Sequence, residues 1–132
     1  ALIKVMQHPY VAVITHPGNP EYPIDQERLV NASKELGVAL EINNSSLTGT
    51  REGSLENCRK IGKLAAQKGS LISVGSDAHW APSIGEFSKA IELITECGIK
   101  EEQVLNTDPN KVRNYLSKRR GATPIQLDAP GV

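Results

Sequence analysis

Apolar positions along the chain follow two rhythms. Four short runs, Val11 to Thr15, Val38 to Ile42, Leu71 to Val74 and Gln103 to Asn106, lack strict in-out alternation, as strands covered on both faces do. Longer stretches between them carry helical spacing. Asp25 can cap a helix to about Leu36, with Leu29, Ala32 and Leu36 on one stripe and Gly37 at its C-terminal end. Ser54 offers a cap for a second helix carrying Leu55, Ile61 and Leu64 or Ala65, closed by Gly69. Ser83 and Glu86 have capping-box spacing, predicting a third helix with Ile84, Phe87, Ile91 and Ile94 on its buried stripe. Asp108, with Pro109 at the first helical position, opens a last helix to about Arg119. Residues 1–8 read as the end of a helix whose start is missing, residues 11–120 as four βα units, and residues 121–132, with Pro124 and Pro130, as an extended tail.

The fold class is therefore α/β, a parallel βα repeat with right-handed crossovers. Two closures stay open: a doubly wound sheet with helices on both faces, or a barrel segment with all helices outside. Glu41 bears on the choice. It interrupts an otherwise apolar strand, so its carboxylate must face either a polar barrel interior or an unfavourable apolar layer. The length of 132 residues is roughly half that of a complete (β/α)8 barrel, which takes about 250.

Composition narrows the function classes. Fifteen Lys plus Arg balance 15 Asp plus Glu, which removes the global basicity of a protein built mainly to bind nucleic acid. The basic last helix, with Lys111, Arg113, Lys118, Arg119 and Arg120, reads as a solvated face whose cations offset the helix dipole. No apolar stretch reaches the roughly 18 to 20 residues of a membrane span, and residues 1–8 lack a signal peptide's layout. A cytoplasmic protein with no membrane partner is expected. Cys58 and Cys97 lack C-x-x-C spacing and are expected as reduced thiols.

The chemistry-bearing residues follow the predicted strands, at the rim where α/β proteins place their sites. His16 follows the first strand, Asn43 and Asn44 the second, Asp77 and His79 the third. Imidazole and carboxylate at such positions suit Zn, Mn or Fe, and the i, i+2 spacing lets Asp77 and His79 reach the same side. Each signal has a plainer alternative: an Asp bonding its own turn, a histidine packed in a Pro-rich loop. His8, at the opposite rim, is assigned to surface structure. Arg51 with Gly53 and Ser54 is a candidate anion site, a guanidinium beside a helix N-terminus. Trp80 shields the rim or stacks on a substrate.

The strings Thr15-His16-Pro17-Gly18-Asn19-Pro20, Ala39-Leu40-Glu41-Ile42-Asn43-Asn44-Ser45-Ser46 and Gly75-Ser76-Asp77-Ala78-His79, in this order, resemble the C-terminal half of a PHP (polymerase and histidinol phosphatase) domain of the YcdX-type phosphatase branch. Arg51-x-Gly53-Ser54, Asn57-Cys58-Arg59 and Gly85-Glu86-Phe87 extend the likeness from about Val11 to Pro124. The resemblance implies the C-terminal half of a distorted (β/α)7 TIM-like barrel whose mouth holds up to three divalent ions, commonly zinc. On that basis His16, Asp77 and His79 each bind a metal, and Glu41 and Asn43 are polar groups behind them; the anion-site reading adds Arg51 and Ser54 as substrate contacts. It implies a phosphatase that hydrolyses small phosphomonoesters through a metal-activated water, with a phosphodiesterase or proofreading nuclease as the alternative. The family's N-terminal H-x-H motif, its further histidines and its bridging glutamate have no counterpart here. Incomplete metal occupancy is therefore expected of this chain alone. Two open sheet edges also invite pairing with the missing N-terminal half or with a second copy, so a non-catalytic half-barrel that assembles with a partner is a third reading.

Overall fold

The structure, a computed structural model, describes residues 1–121; the expected tail over 122–132 lies outside the described residues. Three parallel strands, β1 (Val13–Ile14), β2 (Ala39–Asn43) and β3 (Ile72–Gly75), form one sheet in the order β1-β2-β3. Five α-helices accompany them: α1 (Leu2–Met6), α2 (Gln26–Leu36), α3 (Ser54–Lys68), α4 (Ser88–Cys97) and α5 (Pro109–Arg119). Sequential order with right-handed crossovers puts α2 and α3 on the same side of the sheet. The helices pack in series, α1 on α2, α2 on α3 and α3 on α4, a single layer of the kind a partial βα fold presents.

Register sorts the strand residues into two faces of opposite character. Leu40 pairs with Ile72 and Ile42 with Val74, while Glu41 pairs with Ser73 and Asn43 with Gly75. Side chains alternate along a strand, so Leu40, Ile42 and Ile72 go to one face, where with Leu29, Val30, Ile61 and Ala65 they form the core. The other face carries Ala39, Glu41, Asn43, Ser73 and Gly75. Glu41 thus stands on a polar face rather than in an apolar layer.

Local signals set the helix ends where they are strongest. The Asp25 carboxylate accepts from the Arg28 N–H at 3.0 Å, and Asp108 accepts from the Asn110 N–H at 2.6 Å with Pro109 behind it. Gly37, Gly69 and Gly98 close α2, α3 and α4 in the left-handed conformation, which costs a residue without a Cβ little.

Four expectations are corrected. Gly53, at φ +83°, is the N-cap of α3, and Ser54 is its first helical residue; the stripe omits Leu55, which is exposed. Ser83 and Glu86 do not open a helix, because Gly85 between them adopts φ +80°. Helix α4 instead starts at Ser88, whose N–H is held by Glu86 at 2.9 Å. Its buried residues are Ala90 and Leu93, leaving Ile84 and Ile91 exposed. The fourth strand is reduced to one bridge, Ile72 with Val104, flanked by two short 3-10 turns. The side-chain amide of Asn106 replaces it. It accepts from the Val74 N–H at 2.9 Å and donates to the Val74 carbonyl at 2.7 Å, doing with a side chain what a strand does with its backbone. The first strand is shorter than expected, Val13–Ile14; ahead of it the Val11 carbonyl accepts from Arg119 of α5, and the Ala12 carbonyl is shared between the Ala39 N–H and the Tyr115 hydroxyl.

Candidate functional site

The C-terminal ends of the three strands converge on a polar rim, and two residues there are held in a conformation that side chains avoid. His16 after β1 has φ +33° and Asp77 after β3 has φ +54°, the only non-glycine residues with positive φ among those described. Such backbone persists only where its surroundings over-determine it, and it concentrates at functional sites.

Those surroundings can be named. The loop after β1 is pressed inward: Pro17, Gly18 and Asn19 are buried, and Asn57 of α3 donates to the Gly18 carbonyl at 3.0 Å. A Cβ on Gly18 would fall 2.5 Å from the Cys58 sulfur, so only glycine lets the loop lie this close to α3. Cys58 is free and buried. Burial first, then the charge of Glu41 and the neighbouring Cys97, push its thiol up to about 11, so it packs rather than reacts.

Glu41 Oε2 accepts from the His16 N–H at 2.8 Å and from Asn43 Nδ2 at 3.3 Å. Its other oxygen sits where a Cβ on Gly75 would be, 2.1 Å away. Glycine at the end of β3 is therefore what admits the carboxylate. Asn43 Oδ1 accepts from the Ser46 N–H at 2.9 Å and from its hydroxyl at 3.1 Å, and the Ser46 hydroxyl accepts from Arg51, which reaches Asp77. An unbroken chain of contacts thus joins the ends of all three strands, from His16 through Glu41, Asn43, Ser46 and Arg51 to Asp77.

Asp77 is paired. Both terminal nitrogens of Arg51 donate to its Oδ2 at 3.2 Å, and Nη1 also donates to the Ser46 hydroxyl at 2.9 Å. Burial opposes ionisation of Asp77, but hydrogen bonds from Arg51 and Asn43 and the charges of Arg51 and His79 prevail. They hold its carboxyl below the usual range. His79 is exposed, with Nδ1 2.8 Å from the Asp77 carbonyl. An Nδ1–H donating there leaves Nε2 bare toward solvent, the arrangement in which an imidazole serves as a metal donor. A cavity of about 380 Å³ opens here, lined by Asn44, Thr48, Thr50, Asp77, His79 and Trp80 among others. Larger clefts, about 570 Å³ between α1 and α2 and about 470 Å³ beside α4, touch none of these residues.

The predicted residues therefore fall into groups. Asp77 and His79 line one cavity, Arg51 joins them through its pair with Asp77, Asn43 is bonded to Glu41, and His16 joins through its backbone. Ser54 is fully buried, and its hydroxyl finds no partner among the described residues. His8 is exposed and accepts from the Tyr10 N–H at 3.3 Å, a local turn contact. Two contributors were not predicted: Gly75 makes room for Glu41, and Ser46 orients Arg51. Asn44, one of the rim candidates, accepts from the Ala90 N–H at 3.0 Å and so fixes α4 beside the rim. The amide and hydroxyl run Asn43-Asn44-Ser45-Ser46 directly after a strand was the signal for Ser46.

The donors available, imidazole and carboxylate, suit a divalent cation. Their number is short: among the described residues no three of His, Cys, Asp and Glu gather at one point to hold an ion. No helix among them is long and apolar enough to cross a membrane.

Sequence comparison brings the site into company. A "Probable phosphatase" of Thermoanaerobacter sp. (strain X514) is 48% identical over 120 residues, 91% of this chain and 49% of that protein. Another of that name, from Proteus mirabilis, is 45% identical over 116 residues, 88% of this chain and 47% of its own length. A third, from Clostridium novyi, is 41% identical over 128 residues, 97% and 52% of the two chains. The chain spans about half the length of these curated relatives. No protein-family model matches it.

Proposed function

We propose that the chain supplies one half of a metal-dependent phosphatase of the PHP type, a half-barrel whose rim bears three of the metal donors, His16, Asp77 and His79. Relatives at 41 to 48% identity that carry the name "Probable phosphatase" support phosphatase chemistry in general. The observation that carries the rest is the pair of left-handed residues, His16 and Asp77, at equivalent ends of parallel strands and tied together through Glu41, Asn43, Ser46 and Arg51.

When bound, a divalent ion, zinc by preference with manganese or iron as substitutes, supplies an acidified water and neutralises charge during attack on phosphorus. The chain's own residues do the rest. The Asp77 carbonyl sets the His79 tautomer and leaves Nε2 outward. Glu41 fixes the backbone of His16, and Asn43 holds Ser46, which in turn holds the Arg51 paired with Asp77. Asp77 is a ligand here, not the nucleophile. Arg51 is the group to meet the phosphoryl oxygens, since a guanidinium fork matches them bidentately. A small phosphomonoester suits a cavity of about 380 Å³ and a chain without net charge better than a nucleic-acid strand does. The complete active centre requires donors from the remaining length that the relatives possess.

Elemental analysis of the purified chain after incubation with Zn²⁺, paired with His79→Ala, tests the reading. Bound zinc is expected, and it should fall in the variant while the far-UV circular dichroism stays unchanged. Equal zinc in both proteins would remove His79 from the site.

A further inference from the structure

The contact that least fits a resting metal site is the ion pair between Arg51 and Asp77. A carboxylate meant to bind a cation is already occupied by one. The pair is incompletely buried, 25% and 27% exposed at the two side chains, and its geometry is a fork closing on a single oxygen, Oδ2, with both contacts at 3.2 Å. A guanidinium docked on both carboxylate oxygens would be stronger. The Ser46 hydroxyl, 2.9 Å from Nη1, gives the guanidinium a second anchor that does not depend on Asp77. Ser46 is in turn fixed by Asn43 through its N–H and its hydroxyl. Asp77 lines the cavity together with His79 and Thr50, and Thr50 is the chain neighbour of Arg51.

Resting on the phosphatase reading, we infer that Arg51 is an internal stand-in cation: it neutralises Asp77 until a divalent ion takes that carboxylate, and the guanidinium so displaced, still tethered by Ser46, then recruits the phosphoryl group. The exchange makes cation and anion binding mutually reinforcing. Without the ion, the positive charge of Arg51 is spent on Asp77 and attracts phosphate weakly. Without Arg51, Asp77 is an uncompensated carboxylate and binds the ion more tightly, but the link to phosphate is lost. Breaking a partly exposed pair of this kind changes an equilibrium by about fivefold at most, so a modestly held ion is enough to drive the exchange.

Calorimetric titration of the full chain with Mn²⁺ alone, inorganic phosphate alone and each in the presence of the other tests this, in the parent protein and in Arg51→Met. In the parent protein each ligand should tighten the other by the same factor, up to about fivefold, as linkage demands. In Arg51→Met the ion should bind up to about fivefold more tightly on its own, and the mutual tightening should shrink by about that factor. A measurement without mutation covers the case of a misfolded variant: the side-chain ¹⁵N resonance of Arg51 should move when Zn²⁺ is added to the parent protein. An unmoved resonance, or coupling of equal size in both proteins, overturns the exchange while leaving the phosphatase reading in place. Failure of every variant to bind either ion overturns both.

Discussion

The two ends of the sheet are built on opposite principles. At the N-terminal ends of the strands, α5 closes the molecule with two side chains that bond backbone groups. The Tyr115 hydroxyl lies 2.6 Å from the Ala12 carbonyl and 2.7 Å from that of Gly37, and accepts from the Ala39 N–H at 3.3 Å. The Arg119 guanidinium donates to the carbonyls of Val11, Leu36 and Met6, the last two at 2.6 and 2.5 Å. Backbone from α1, β1, α2 and β2 is thereby gathered at one point. At the C-terminal ends, side chains serve other side chains, two residues hold left-handed backbone, and charged groups face solvent. The contrast shows where each kind of free energy resides. One end maximises satisfied backbone groups, and the other holds strain and unspent donor capacity in readiness for a ligand.

Breaking the lower clasp should have the largest effect on stability. Arg119→Ala leaves several partly buried carbonyls unpaired, and since hydrogen bonds to a charged donor contribute about 1.5–3 kcal/mol each in favourable cases, a loss of about 2–3 kcal/mol is expected in urea unfolding. Cation binding at the far rim should be unchanged; a matching loss of binding would erase the division between the two ends. Next is Gly75→Ala. Its Cβ would overlap a Glu41 oxygen, and overpacking of this sort costs about 1–3 kcal/mol. Because Glu41 also holds His16, this variant should lose stability and rim geometry together, visible as a shifted His16 amide resonance.

Asp77→Asn should cost less than about 1 kcal/mol at neutral pH, as partly exposed pairs do. It should also flatten the acid side of the stability profile. The folded carboxyl titrates below its ordinary value, so its contribution is present above the unfolded value of about 3.9 and fades as pH falls through the lower folded one. Urea midpoints of both proteins between pH 6 and pH 2 would show it, and parallel curves would count against the pair. Smallest of all is the stability effect of His79→Ala, within about 0.5 kcal/mol for an exposed side chain, although the same change should strip metal from the site.

Local chemistry was legible wherever it acts without help. Asp25, Asp108 with Pro109, Gly37 and Gly69 mark helix ends because a cap or a left-handed glycine needs only its own neighbours. His16, Asn43, Asn44, Asp77 and His79 do follow or end their strands at one rim, since every strand end in a parallel sheet reaches the same side. One misreading was local, Gly85 overruling the Ser83–Glu86 spacing around it; in another a distant partner intervened, the Asn106 amide pairing with Val74 in place of a strand.

What the sequence determined by itself, then, is the βα rhythm, the direction of the sheet and the rim on which the polar residues stand, all consequences of short-range periodicity and chirality. Only the tertiary structure decided that Arg51 sits on Asp77, that Gly75 exists to admit Glu41, and that Tyr115 and Arg119 reach more than 75 residues back to close the base. Those contacts join segments far apart in the chain, and no local pattern encodes which distant group will be near enough to bond.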